Sequence, residues 1–207
     1  PEQPSPFTRG GYSVDGAIKP ELLAHGGNWA INTRAGHSLM ERVAGLGVVS
    51  TNHQFAKGHP FAIDIGTSMA APQVAHLAAS IFREHPDADA NLIRALLCLN
   101  AVMPEPSQKL IEQDKSFRSV CGYGQVHEEY LHRSLENAVT LIAGESIENK
   151  RHHFYEIPIP DEFVSGGKRR LREIAVALAY TPPVRSTRVK YRATRIDFRL
   201  VTAPDLE

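Results

Sequence analysis

The chain has 207 residues and a mass of 22.8 kDa, which suits one large domain or two modest ones. Its 42% hydrophobic and 22% charged content is close to average globular usage and excludes a wholly disordered chain, collagen or a coiled coil. No apolar run approaches the roughly 18 residues of a membrane span, and formal charge cancels at 23 basic against 23 acidic residues. The balance is uneven. Residues 150–207 hold 12 Lys/Arg and 7 Asp/Glu, a net of +5, and residues 1–149 hold 11 and 16, a net of −5. Two oppositely charged halves that face solvent or attract each other account for this pattern better than a nucleic-acid surface. Two cysteines, Cys98 and Cys121, make no disulfide framework and no C-x-x-C motif, which favours a reducing, cytoplasmic setting. Cys98 lies in an apolar run and reads as a small buried hydrophobe. A start at Pro1-Glu2-Gln3-Pro4 reads as a cut or processed piece of a longer chain.

Residues 1–68 are rich in Gly, Pro, Asn and Ser, which predicts loops and short strands. From Ser68 to Glu84, Ala70, Val74, Leu77, Ala78 and Ile81 recur at helical spacing. His85-Pro86 ends that helix, because proline disfavours helical geometry in the residue before it. A second helix is predicted from Asp89 to Ala101, with Asp87 or Asp89 as its cap. Pro104-Glu105-Pro106 opens a short third helix through Ile111. The glycine-punctuated segment Val120–Val126 leads to a fourth from about His127 to Ala138.

After Ile147 the period drops to two. Ile174, Val176, Leu178 and Tyr180 alternate with alanines, which predicts a strand buried on both faces. Val189, Tyr191 and Ala193 alternate with Arg188, Lys190 and Arg192, and then Ile196, Phe198 and Leu200 take the apolar phase. A slip of one residue moves the apolar set to the other face, so a break is expected near Ala193–Arg195. The large apolar residues of the tail are expected to be buried and the 188–192 basic positions exposed. The aromatics fall on the apolar phase, which makes them poor stacking platforms for nucleic acid.

The segment Asp64–Ala79 carries the chemistry. Gly66 permits a sharp turn, and Ser68 follows at the tip of an alanine-rich helix. There its hydroxyl can project while the unpaired first-turn N–H groups point at a developing anion. On spacing alone Ser68 also reads as an ordinary helix cap. The residue identities go further. Gly66-Thr67-Ser68-Met69-Ala70-Ala71-Pro72 with Val74-Ala75 resembles the nucleophile motif of the subtilisin-like serine peptidases. Lys19-Pro20-Glu21-Leu22-Leu23-Ala24-His25-Gly26 is similar to the family segment that precedes it, with Glu21 in place of an Asp and His25 in place of a Pro. Gly122-Tyr123-Gly124 is similar to the family's closing glycine segment.

The resemblance covers residues 5 to about 140. It implies an α/β fold with a parallel sheet and flanking helices over residues 1–147, followed by an antiparallel β-sandwich-like domain over 148–207. It implies a peptide or protein substrate and an acyl-enzyme on Ser68. In this family the triad runs Asp, His, Ser along the chain, so the Asp, the His and the oxyanion Asn are expected upstream, and the isolated chain is expected to be nearly inactive. His25, His37, His53 and His59 are weak substitutes, because a base must itself be oriented by a third group. His53 and His59 read as loop residues near the substrate cleft. His76 is expected to pack or reach the surface. His152 and His153 point to opposite strand faces, so they make no metal pair. A degenerate subtilase scaffold acting as a binding or regulatory module is the alternative, and an interaction surface on the basic tail is a third reading. No cofactor is expected, since no Asp-rich loop of calcium-ligand spacing is present, although the resemblance leaves calcium open for the longer protein. Half a parallel sheet would expose an apolar edge, so the expected partners are the upstream part of the same protein or a second copy.

Overall fold

The computed structural model describes residues 2–13, 16–34, 36–40, 43–131, 138–161, 163, 172–187 and 192–201. Chain contacts divide the protein into two units, Pro1–Arg133 and Ser134–Glu207.

In the first unit the glycine- and proline-rich opening forms short strands, as its composition predicts. β1 (Gly11–Tyr12) pairs with β2 (Ile18–Lys19), β3 (Ala30–Asn32) with β4 (Ser38–Met40), and β5 (Val48–Thr51) with β6 (Phe61–Asp64). Further along, β7 (Ala101–Val102) pairs with β8 (Gln125–Val126). Every pair is antiparallel, so the described strands make four small ladders where one parallel sheet was expected. For the first three pairs the physical reason is connection length. Neighbouring strands joined by short turns pair antiparallel, whereas parallel pairing needs a crossover of a dozen or more residues; β7 and β8 pair antiparallel across the long 103–124 segment. The one parallel contact among the described residues, the bridge between Leu23 and Gln125, spans such a crossover.

That crossover is helical. α1 (Thr67–Glu84) matches the predicted periodicity and ends at His85. α2 (Ala90–Leu99) is capped by Asp89, whose Oδ1 accepts the Leu92 N–H at 2.7 Å. α3 (Glu105–Gln113) begins after Pro104. The short α4 (Arg118–Cys121) carries no periodic signal in the sequence and was not expected. α5 (Glu128–Leu131) starts the predicted fourth helix, whose continuation falls outside the described residues.

The core forms where α1 crosses α2. Ile81, Leu96, Leu97 and Val126 are buried, with Leu22, Val74, Leu77, Ala78, Leu92, Ile93, Ala101 and Leu131 packed around them. All the residues predicted for the apolar stripe of α1, apart from Ala70, are in this cluster, with Leu92, Ile93, Leu96 and Leu97 meeting them from α2. Ser107 and Ser119 are buried polar exceptions. Ser107 Oγ donates to Glu2 O at 2.7 Å and Ser119 Oγ to Ser116 O at 2.8 Å, so neither leaves an unmade hydrogen bond.

The second unit departs from expectation. Ile174, Val176, Leu178, Phe198 and Leu200, expected to be buried, are 41–56% exposed, and Tyr180 is half-buried. Alternation supplies a strand with two faces, but burial needs a neighbouring ladder and a second layer. Here the described residues of the unit hold a single isolated antiparallel bridge, Val184–Arg192. Arg192, expected to be exposed, is half-buried at that bridge, and Arg188 and Lys190 lie outside the described residues. The chain bends at Ala193, where the apolar phase slips, and Ala193 N donates to Pro183 O at 2.8 Å.

The α1–α2 contact gives a direct stability test. Leu96→Ala should cost about 2–5 kcal/mol, read as a lowered urea midpoint at unchanged slope. Leu39→Ala, on the exposed face of β4, should change the midpoint by less than about 0.5 kcal/mol.

Candidate active site

The β5–β6 hairpin feeds the chain into α1. Its register, Val48–Asp64 through Thr51–Phe61, places Asp64 at the base, and two residues later the backbone turns at Gly66. That residue has φ 133°, a conformation closed to side-chain-bearing residues, which is why glycine stands there. Gly66, not Ser68, is the helix cap. Ser68 is the second helical residue and is exposed, and its hydroxyl makes no hydrogen bond to another described residue. Met69 N–H donates back to Gly66 O at 2.9 Å. The amides of Thr67 and Ser68 have no hydrogen-bond partner among the described residues, as expected for a helix start.

Three segments converge on this turn. Gly66 N donates to Gly26 O at 2.7 Å. A Cβ on Gly26 would meet Gly66 O at 2.8 Å, so the two backbones touch only because residue 26 has no side chain. Gln73, in the second turn of α1, donates from Nε2 to His25 O at 2.6 Å and to Met69 O at 2.9 Å. From the third segment, Tyr123 N donates to Glu21 O and Gly124 O accepts from Leu23 N, at 2.8 and 2.7 Å. Gln125 Nε2 lies 3.3 Å from His25 Nε2. The 19–26 segment singled out in the sequence therefore lies against the Ser68 turn, and residues 122–124 lie against that segment. Gln73 and Gln125 were missed, since a glutamine in a helix or strand carries no pattern of its own.

The 19–26 segment is also tied to α2. Glu21 accepts from Arg94 at 2.6 Å and from Lys19 at 3.0 Å. Burial alone would push the Glu21 carboxyl up, but the hydrogen bonds from Arg94 and Lys19 more than offset it and hold it below its ordinary value of 4.5. The bond to Glu21 likewise holds Arg94 charged against its own burial. Cys98, on the same helix, is pushed up to about 11, chiefly by burial and then by the Glu21 charge. Cys121 is fully buried beside Ser107, and burial raises it too.

The histidines are scattered. The His25 ring is exposed and, among the described residues, bonds only to Gln125. His53 and His59 lie in the exposed loop joining β5 to β6, and His37 sits between β3 and β4. His76 reaches the surface, 3.9 Å from the Glu128 carboxylate, beside an open cleft of about 500 Å³ that Ser68 does not line. In the second unit His153 Nδ1 lies 2.8 Å from Glu145, and His152 stacks loosely on Phe154. No histidine is hydrogen-bonded to Ser68 among the described residues. Those residues also hold no group of three or more His, Cys, Asp or Glu that could bind a metal, and no helix long and apolar enough to cross a membrane.

A glycine turn leads into an alanine-rich helix, with the 19–26 segment folded against it and residues 122–124 against that segment. The subtilase family model matches residues 1–124, and the chain belongs to that family. It is 35% identical over 207 residues to the uncharacterized protein y4bN of Sinorhizobium fredii (strain NBRC 101917 / NGR234), a match that takes in 96% of this chain and 46% of that protein. The chain thus spans about half the length of the curated relative it matches. No solved structure matches it.

Two measurements follow from the electrostatics. Glu21 has a lowered folded-state pKa, so its contribution is complete above about pH 5 and is lost as pH falls through that depressed value. The gap in urea midpoint between wild type and Glu21→Gln should therefore narrow between about pH 5 and pH 3. Iodoacetamide at pH 8 should alkylate native Cys98 on the order of 100-fold more slowly than an ordinary thiol, because the thiolate is so scarce, and urea should abolish the difference.

Proposed function

We propose that the complete protein is a serine endopeptidase with Ser68 as its nucleophile. The observation that carries this reading is the exposed Ser68 hydroxyl in the first turn of α1, one residue past the free Thr67 amide, in a chain of the subtilase family. Ser68 Oγ attacks the scissile carbonyl carbon as its proton passes to a histidine base. The carbonyl oxygen takes the negative charge and is held by backbone N–H donors at the turn. Collapse breaks the C–N bond, the histidine returns the proton to the leaving amine, and water then hydrolyses the acyl ester by the same route. The base, the carboxylate that orients it and a side-chain oxyanion donor come from the part of the protein upstream of this chain. That part also supplies the strands that complete a parallel sheet beside α1.

Fluorophosphonate labelling of the full-length protein tests this. Wild type should be labelled and Ser68→Ala spared, with turnover of a casein or peptide substrate abolished. Thermal stability should change little, because an exposed first-turn hydroxyl contributes at most about 1 kcal/mol. The 207-residue chain alone should label very weakly, since no histidine is hydrogen-bonded to Ser68 among the described residues. A full-length protein that folds but takes up no label would mark it as a scaffold that binds without cleaving.

A further inference from the structure

We infer that Gln73 is the positioning residue of the Ser68 turn, a role that rests on reading Ser68 as the nucleophile. The geometry is a closed ring. Gly66 is joined to Gly26 through the N–H···O bond of 2.7 Å, and Gly26 follows His25 in the chain. The His25 carbonyl is joined to the Met69 carbonyl through the Gln73 carboxamide, and Met69 follows Ser68. The 65–66 peptide ahead of Ser68 and the 69–70 peptide after it are therefore held, one by Gly26 and the other by Gln73. Two carbonyl oxygens cannot bond each other, so the bridge demands a group with two hydrogens to donate. The amide NH₂ supplies both and leaves none spare, which also decides the orientation of the amide. Gln73 is half-buried on α1, while Gln125 approaches the His25 ring from the third segment, so His25 is held at its carbonyl by Gln73 and at its ring by Gln125. A nucleophile displaced by about 1 Å loses on the order of 100-fold in rate, and this ring removes that freedom from Ser68.

The test compares three substitutions of similar length in the full-length protein. Gln73→Met removes both donors, Gln73→Glu aims a carboxylate at two carbonyls, and Gln73→Lys restores donors. The readouts are the rate of fluorophosphonate labelling at Ser68, kcat and KM on a peptide substrate, and the folded fraction by circular dichroism. The expected result is labelling and kcat reduced about 10- to 100-fold in Gln73→Met and Gln73→Glu, with KM within about twofold because the clamp sets the attacking group rather than the substrate contacts. Gln73→Lys should recover to within about threefold of wild type, a rescue that side-chain volume alone does not predict. Should Gln73→Met fold poorly, the comparison of Gln73→Lys with Gln73→Glu decides. Folded Met and Glu variants that label at the wild-type rate, or a Lys variant as slow as the Glu variant, overturn the clamp while leaving Ser68 as nucleophile. A wild type that takes up no label overturns the reading of Ser68 instead.

Discussion

Backbone touches backbone at Gly26 and Gly66, and the first unit is arranged around that contact. The N–H···O bond between them is 2.7 Å long, and a side chain on residue 26 would be driven into Gly66 O. Because the contact lies at the start of α1, it sets where that helix begins relative to the 19–27 segment. Helix direction and length then carry the constraint to the core, since Ile81 sits near the far end of α1 and packs with Leu96 and Leu97 of α2. The glycines are there for geometry and the aliphatics for burial, and each set needs the other.

The same segment is held at its other end by charge. Glu21 bonds Arg94 on α2 and Lys19 on β2, while its backbone oxygen accepts the Tyr123 N–H. A half-buried carboxylate is tolerable only with such partners. The ion pair and the apolar α1–α2 contact therefore brace one frame from opposite sides. Ser68 contributes little to either. It sits at the surface of a well-determined turn, so its chemistry can be exposed without weakening the core. On the proposed reading of Ser68 as nucleophile, the reacting hydroxyl is separate from the residues that hold it, so the site keeps its geometry without burying its nucleophile.

The second unit shows what alternation alone does not provide. Its apolar residues recur every second position, yet the large ones at 174–178 and 198–200 are substantially exposed. The polar pairs Glu145–His153 and Arg195–Asp197 are local and exposed, and pairs of this kind contribute little to stability. A strand becomes a core element only when a ladder fixes its register and a second layer covers its face.

How much was legible follows from the range of each signal. The helices at 67–84, 90–99 and 105–113, the Asp89 cap and the break at Ala193 were determined by the sequence itself, because periodicity, capping and proline act within a few residues. The subtilase kinship was readable for the same reason, being carried by the contiguous run Gly66–Pro72. The α4 turn was invisible because a four-residue helix has no period to detect. Strand pairing and burial in the tail were decided only by the tertiary structure, since pairing joins residues whose separation the local pattern does not encode. The same holds for Gln73. Nothing around it in sequence marks it, and its importance arises from a carbonyl 48 residues away that only folding brings to its amide.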